Sequence, residues 1–256
     1  MQREDAVIVN TIMRQALVAA QEVMGENGLN AVLRSCGLYG RARACLDETG
    51  DIYRQLGDWR GEALVRSNLG LLEHLVGDQT AAAEESSRAL EIARDRGDRR
   101  LQGYALTHQA HAMLALGRTD EAAAAYVEAG ALRRELGLAH LAVESQAGLA
   151  RARLAQGRTG PALAAAEEIL HYLESGPVDG TEEPLRIYWT CCQVLRAAQD
   201  ARGEAASRQA RRVLSERAER IHDPALRHSF LEEVALHRQV REEAAVERSS
   251  REAAGR

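Results

Sequence analysis

Three glycines, Gly57, Gly97 and Gly137, follow one another at 40-residue intervals. A second set, Gly77, Gly117 and Gly157, repeats with the same period, and Gly37 extends it backwards. Glycine is the residue that most readily takes the left-handed conformation at which an α-helix stops. Two interleaved series with one period therefore imply a repeating unit of two helices, A and B. Between the glycines the apolar residues recur at i, i+3, i+4 and i+7, the period of a helix with one buried face. The A helices read as Val65–Leu75, Leu101–Leu116 and Leu141–Leu154, and the B helices as Ala81–Ala93, Ala122–Leu136 and Ala162–Leu173. Alanine stands five residues past each glycine of the second series, at Ala42, Ala82, Ala122 and Ala162. Seven residues further on come Ala89, Ala129 and Ile169.

Composition agrees with an all-α chain. Ala, Leu, Arg and Glu dominate the 256 residues, prolines number only four, and aromatics make up 4%; all four dominant residues are good helix formers. With 28% charged and 45% hydrophobic residues the chain has the balance of a globular protein, not a disordered one. All 33 basic residues are Arg. Without a lysine, neither a P-loop nor a Schiff-base enzyme can be built. A net charge of −5 with Arg and Glu interspersed speaks against nucleic acid as the main ligand. No apolar run reaches the length of a membrane span, and the N-terminus shows no signal peptide. Four cysteines, Cys36, Cys45, Cys191 and Cys192, make no disulfide framework, so cytoplasm is the expected compartment.

The glycines, the alanines and the small residues at Gly70, Ala110 and Ala150 together resemble the tetratricopeptide family, over about residues 41–221. In that family the small positions are where helices A and B approach closely. The 40-residue unit, and phrases such as Arg94-Asp95-Arg96-Gly97-Asp98, are similar to the helical repeats of bacterial maltose-activator-type regulators and of signalling ATPases and cyclases. The resemblance implies a right-handed superhelical solenoid of antiparallel helix pairs. Residues 16–33, from Ala16 to Leu33, resemble the opening of 4-vinyl-reductase-type ligand-binding domains, without the rest of such a domain.

The register slips after Gly157, and the Gly- and Pro-bearing loop Ser175–Thr181 separates the regular array from a modified last pair, Glu183–Ala198 and Gly203–Ile221. Asp223-Pro224 then opens another helix, with Pro at its first position and Leu226, Phe230, Leu231 and Val234 as its apolar stripe. Such a helix is expected to cap the open end of a solenoid. The expected organisation is thus N-terminal capping helices over 1–40, regular repeats over 41–176, the modified pair over 177–221, and a C-terminal capping helix with a frayed tail over 222–256.

No catalytic residue, metal set or cofactor site stands out. His108 and His111 lie three apart but lack a Cys, Asp or Glu at ligand spacing. Cys191-Cys192 read as core, Trp189 as a core residue of the last unit or an anchor at its groove, with core favoured, and Glu84-Glu85 and Glu167-Glu168 as solvated helix faces. The expected binding surface is the concave face lined by the A helices, with Ser67, Leu71 and His74, then Tyr104, Thr107 and His111, then Glu144, Ala147 and Arg151. The Lys/Arg-and-Asn clamp of chaperone-binding repeats would fall on Ser67, Thr107 and Ala147 and on Leu71, His111 and Arg151, and it is absent. The expected function is a non-catalytic scaffold in bacterial signalling or transcriptional regulation, which binds another protein or peptide. A small-molecule-sensing module and a detached repeat region of a larger ATPase or cyclase are the alternatives, and self-association stays open.

Overall fold

A computed structural model describes residues 38–175, 181, 184–232, 234 and 236–243. The segment resembling 4-vinyl-reductase-type domains, the body of the loop after Ser175 and the last thirteen residues lie outside them. The described residues are helical and contain no strand. They divide into two compact units, one ending at Thr181 and one beginning beyond it.

The first unit comprises α1 (Leu38–Leu56), α2 (Trp59–Val76), α3 (Gln79–Asp95), α4 (Arg99–Ala115), α5 (Thr119–Glu135), α6 (Ala139–Ala155) and α7 (Thr159–Ser175). From α2 onward each helix starts 20 residues after the last, so the two glycine series are one junction repeated at every half-period. Gly57, Gly77, Gly97, Gly117, Gly137 and Gly157 all have φ between 69° and 97°. At every junction the N–H of the residue after the glycine bonds back five residues, as Asp58 does to the Tyr53 carbonyl and Leu138 to the Arg133 carbonyl. This is the Schellman arrangement, which satisfies carbonyls the helix end would otherwise leave open. A β-carbon at Gly117 meets nothing within 4 Å, so its φ of 76° alone decides the cost of a side chain there. Gly117→Ala is expected to lower unfolding stability by about 1–2 kcal/mol, read as a reduced urea midpoint at unchanged slope.

The residue after each glycine starts the next helix. Asp58, Asp78 and Asp98 accept from the backbone N–H of Gly61, Ala81 and Leu101, each at 3.0 Å. Gly-Asp therefore ends one helix and begins the next in two residues. The A helix expected from Val65 begins instead at Trp59, because the cap and not the first apolar residue sets the start. Arg118 and Leu138 make no side-chain cap bond, and the exposed Arg158 opens α7 with a guanidinium, which can only donate. Arg158→Asp is expected to raise stability by about 1 kcal/mol, measured by the same titration.

The helices pair as α2/α3, α4/α5 and α6/α7, with α1 against α2. Ala82, Ala122 and Ala162 are fully buried, as are Ala89, Ala129 and Ile169, at the register positions that the repeat identified. α2 and α3 approach tightly at Gly70, where a β-carbon would lie 2.2 Å from Ser86 Oγ and 3.1 Å from the Ala82 carbonyl oxygen. Ala110 and Ala150 occupy that position in the next two pairs and are fully buried. Leu90, Leu106, Tyr126, Leu132 and Leu149 fill the spaces between pairs. Each such Leu contributes roughly 1.5–3 kcal/mol by leaving water.

The second unit holds α8 (Pro184–Ala197), α9 (Arg202–Glu219) and α10 (Pro224–Glu232), followed by a helical stretch at 236–243. Trp189, Cys191, Cys192, Val194 and Leu195 are buried on α8, as expected from the sequence. α8 packs against α9, along which Ala206, Ala210, Leu214 and Ala218 form a buried stripe. Burial, with Cys192 alongside, pushes the Cys191 thiol up to about 12, so it stays protonated and inert. Pro224 is the first residue of α10, as expected. Phe230 is fully buried against the His237 ring, and His237 Nδ1–H donates to the Phe230 carbonyl at 2.7 Å.

Candidate interaction face

Within the first unit α2 meets α4 and α4 meets α6, so the A helices form a layer of their own. The eight candidate binding residues and Ala147 all stand on these helices, and the layer sorts them into two groups.

The row Ser67, Thr107 and Ala147 is buried, at 1%, 2% and 2% exposure. Adjacent A helices pack directly over it. Thr107 Oγ1 donates to its own helix at the Gly103 carbonyl, at 2.9 Å. Ser67 faces His108: the imidazole Nδ1 lies 3.0 Å from the Ser67 carbonyl oxygen and 2.9 Å from Oγ. A carbonyl only accepts, so Nδ1 carries the hydrogen. Burial, reinforced by the charge of Arg133 and opposed by the Ser67 bond, pulls the His108 pKa down to about 4. His108 is therefore a neutral core residue at pH 7, and its ring is turned to α2 while His111 serves other partners.

Leu71, His74, Tyr104, His111 and Arg151 are half-buried and reach the face of the layer, whereas the Glu144 side chain is only 9% exposed. Two clusters hold all of these but Leu71. In the first, the His74 and His111 rings stack with centroids 5.5 Å apart and planes 19° from parallel. Tyr126, which is buried, comes up from α5 with its hydroxyl 2.6 Å from His111 Nδ1, and Arg151 Nη2 lies 3.5 Å from the same nitrogen. Side chains from α2, α4 and α6 thus meet in one row. In the second, Tyr104 packs with its ring centroid 5.6 Å from the Arg133 guanidinium, and Glu144 Oε2 lies 4.0 Å from Arg133 Nη1. Arg133 is only 2% exposed. Its Nη1 donates to the Leu141 carbonyl at 2.8 Å and to Ser145 Oγ at 2.9 Å. An arginine so enclosed is held by several acceptors at once, and those bonds orient Tyr104 and Glu144 above it.

Arg133 and Tyr126 were not singled out in the sequence, because both sit on a B helix. The repeat itself carries the signal. The register equivalents of Arg133 are Ala93, fully buried, and Leu173. A charge where neighbouring repeats place apolar residues marks an arginine turned inward.

The structure resembles several solved repeat proteins. A kinesin-light-chain-type protein of Podosopora anserina, built of nearly identical TPR-like repeats, matches at a TM-score of 0.58 as a point variant and 0.56 in its parent form. The identities are 17% and 16%, and each match covers 74% of this chain and 93% of the other. BtubC from P. vanneervenii matches at 0.53 and 17% identity, over 82% of this chain and 94% of its own. The fold is a TPR-like solenoid. No family model matches the chain, and no curated protein does. At such low identity the TPR-like likeness establishes architecture.

Proposed function

We propose that this chain is a non-catalytic protein-interaction scaffold, acting in bacterial signalling or regulation, whose partner lies along the face of the A helices. The carrying observation is the half-buried row in which His74, His111 and Arg151 come together from three successive A helices. Beside it Tyr104 and Glu144 are held over a buried arginine. Aromatic and arginine side chains set on rigid elements are the residue types that dominate interface energetics, and the ordering of these before any partner arrives lowers the entropy lost on binding. Repeats stacked in one dimension offer an extended surface for this purpose.

The test is a partner co-purified from the native host and identified by mass spectrometry. Tyr104→Ala with Arg151→Glu is expected to weaken its binding at least tenfold while the helical circular dichroism stays unchanged. Undiminished binding by a folded double variant would overturn the assignment of the face.

A further inference from the structure

We propose that the open groove between α5 and the C-terminal half of α6 is a second interaction surface, which takes an acidic peptide segment of another protein with an apolar side chain between its carboxylates. The groove shares no residue with the A-helix face assigned above, and its long wall is a B helix. It therefore stands or falls apart from that reading.

The groove encloses about 410 Å³. Ala123, Val127 and Ala131 form its wall along α5, and the buried Leu149 lines it from α6. From Ala123 to Ala131 that wall is about 12 Å long at the rise of an α-helix, the span of roughly four residues of extended chain. Comparison of the repeats shows how unusual the wall is. Val127 stands where α1, α3 and α7 carry Asp47, Ser87 and Glu167, and Ala131 where they carry Asp51, Glu91 and His171. In those three helices both positions are polar, as on a solvated surface. In α5 both are apolar, and Val127 is 48% exposed. The residues that α5 buries are others, among them Ala122, Ala125, Tyr126 and Ala129. Apolar surface that packing within the unit does not use is stabilised by a partner that removes it from water.

Two arginines give the groove its sign. Arg118, just before α5, is clasped by Glu121, three residues on, at 2.6 Å. Arg158 holds the equivalent place before α7, but three residues on stands Pro161. Its exposed guanidinium has no carboxylate partner among the described residues. Arg153 stands on α6 where α2 and α4 carry Glu73 and Met113. Its Nη1 donates to the Pro161 carbonyl at 3.0 Å, a neutral acceptor that fixes the side chain without cancelling its charge. The nearby carboxylates are engaged: Glu128 accepts from Arg94 of α3 at 2.7 Å, and Asp120 accepts from Gln156 Nε2 at 2.8 Å. Apolar surface beside two uncompensated guanidinium groups complements an apolar side chain flanked by carboxylates. An anionic membrane fits less well, because its charge would also meet the surplus carboxylates of a chain with net charge −5. A short segment places its carboxylates at the two arginines alone.

Random dodecapeptides displayed on phage and selected on the full chain, with Val127→Glu as the counter-target, provide the test. The selection is expected to enrich Leu, Ile, Phe or Met flanked by Asp or Glu. Synthetic peptides of that kind, followed by fluorescence anisotropy, are expected to lose at least tenfold in affinity for Val127→Glu and for Arg158→Glu. Both positions are exposed, and Val127→Ser, which restores the residue of α3, replaces the first variant should it fail to fold. No enrichment, enriched peptides without carboxylates, or equal binding by the folded variants overturns the groove. Loss of binding in Tyr104→Ala, Arg151→Glu also overturns it, by moving the peptide to the A-helix face. Undiminished binding by that double variant supports the groove and leaves the A-helix face to be judged by its own partner. Phosphatidylglycerol vesicles that retain the wild type but not Val127→Glu would assign the groove to a membrane, and a dimer in sedimentation velocity lost in Val127→Glu would assign it to a second copy. Either result overturns the peptide.

Discussion

Lowering the pH from 6.5 to 4 is expected to destabilise the first unit by about 3 kcal/mol through His108 alone. The native pKa is pulled down from 6.5 to about 4, first by burial and then by the charge of Arg133. Between those two values the unfolded chain binds a proton that the folded chain refuses. Stability rises with pH wherever the unfolded state holds more protons, so the contribution is intact above pH 6.5 and is lost as pH falls towards 4. A tenfold change in proton affinity is worth about 1.4 kcal/mol. Urea unfolding at intervals from pH 7 to pH 4 measures it. His108→Asn keeps an amide nitrogen near the Nδ1 position for the Ser67 carbonyl but has nothing to protonate. Its stability should start lower and then decline less steeply below pH 6.5. Parallel declines would show that His108 is not the group being charged.

Gly148→Ala is expected to destabilise by about 3 kcal/mol, and Gly103→Ala to leave stability unchanged or raise it by up to about 1 kcal/mol. The two glycines lie within neighbouring A helices, where alanine has the better propensity by about 1 kcal/mol. Packing separates them. A β-carbon on Gly148 would sit 2.2 Å from the Tyr126 ring, and that ring is buried with its hydroxyl tied to His111. On Gly103 it would meet Arg133 Cγ at 3.5 Å, an ordinary contact. Overpacking a rigid site usually costs about 1–3 kcal/mol, and breaking the Tyr126 bond adds to it. In a Tyr126→Ala background the Gly148→Ala penalty should vanish; if it persists, the ring is not what excludes the methyl group.

Much of the fold was legible in the sequence because its determinants are local. A glycine that must adopt positive φ and an aspartate that caps the next helix act within a few residues of themselves, so their spacing alone counts out the helices. The alanine positions were legible for a related reason. A site that is small in every repeat is one where two backbones approach, and periodicity exposes it. The helix starts were misplaced by up to six residues, at Trp59 against Val65, because apolar periodicity begins where the core begins and the cap stands earlier. Of the candidate face, Leu71, His74, Tyr104, His111 and Arg151 reach the surface of the A-helix layer, whereas Ser67 and Thr107 do not and Glu144 is nearly covered. Helical periodicity places all of these on one side of their helices, but how far each is covered depends on the next A helix.

The sequence by itself determined the period, the helix pairs, their junctions and the absence of any lysine chemistry, since each follows from residue type and spacing along one chain. Tertiary structure alone decided what fills the space between repeats. Tyr126 is large where neighbouring repeats have Ser86 and Ala166, and Gly148 is empty where they have Asn68 and His108. The two departures compensate each other across α5 and α6. Arg133 likewise turns inward only because Leu141, Ser145 and Glu144 wait for it on α6. Such pairings join helices that the one-dimensional pattern treats as copies, and shape and hydrogen-bonding complementarity become visible only when the copies are stacked.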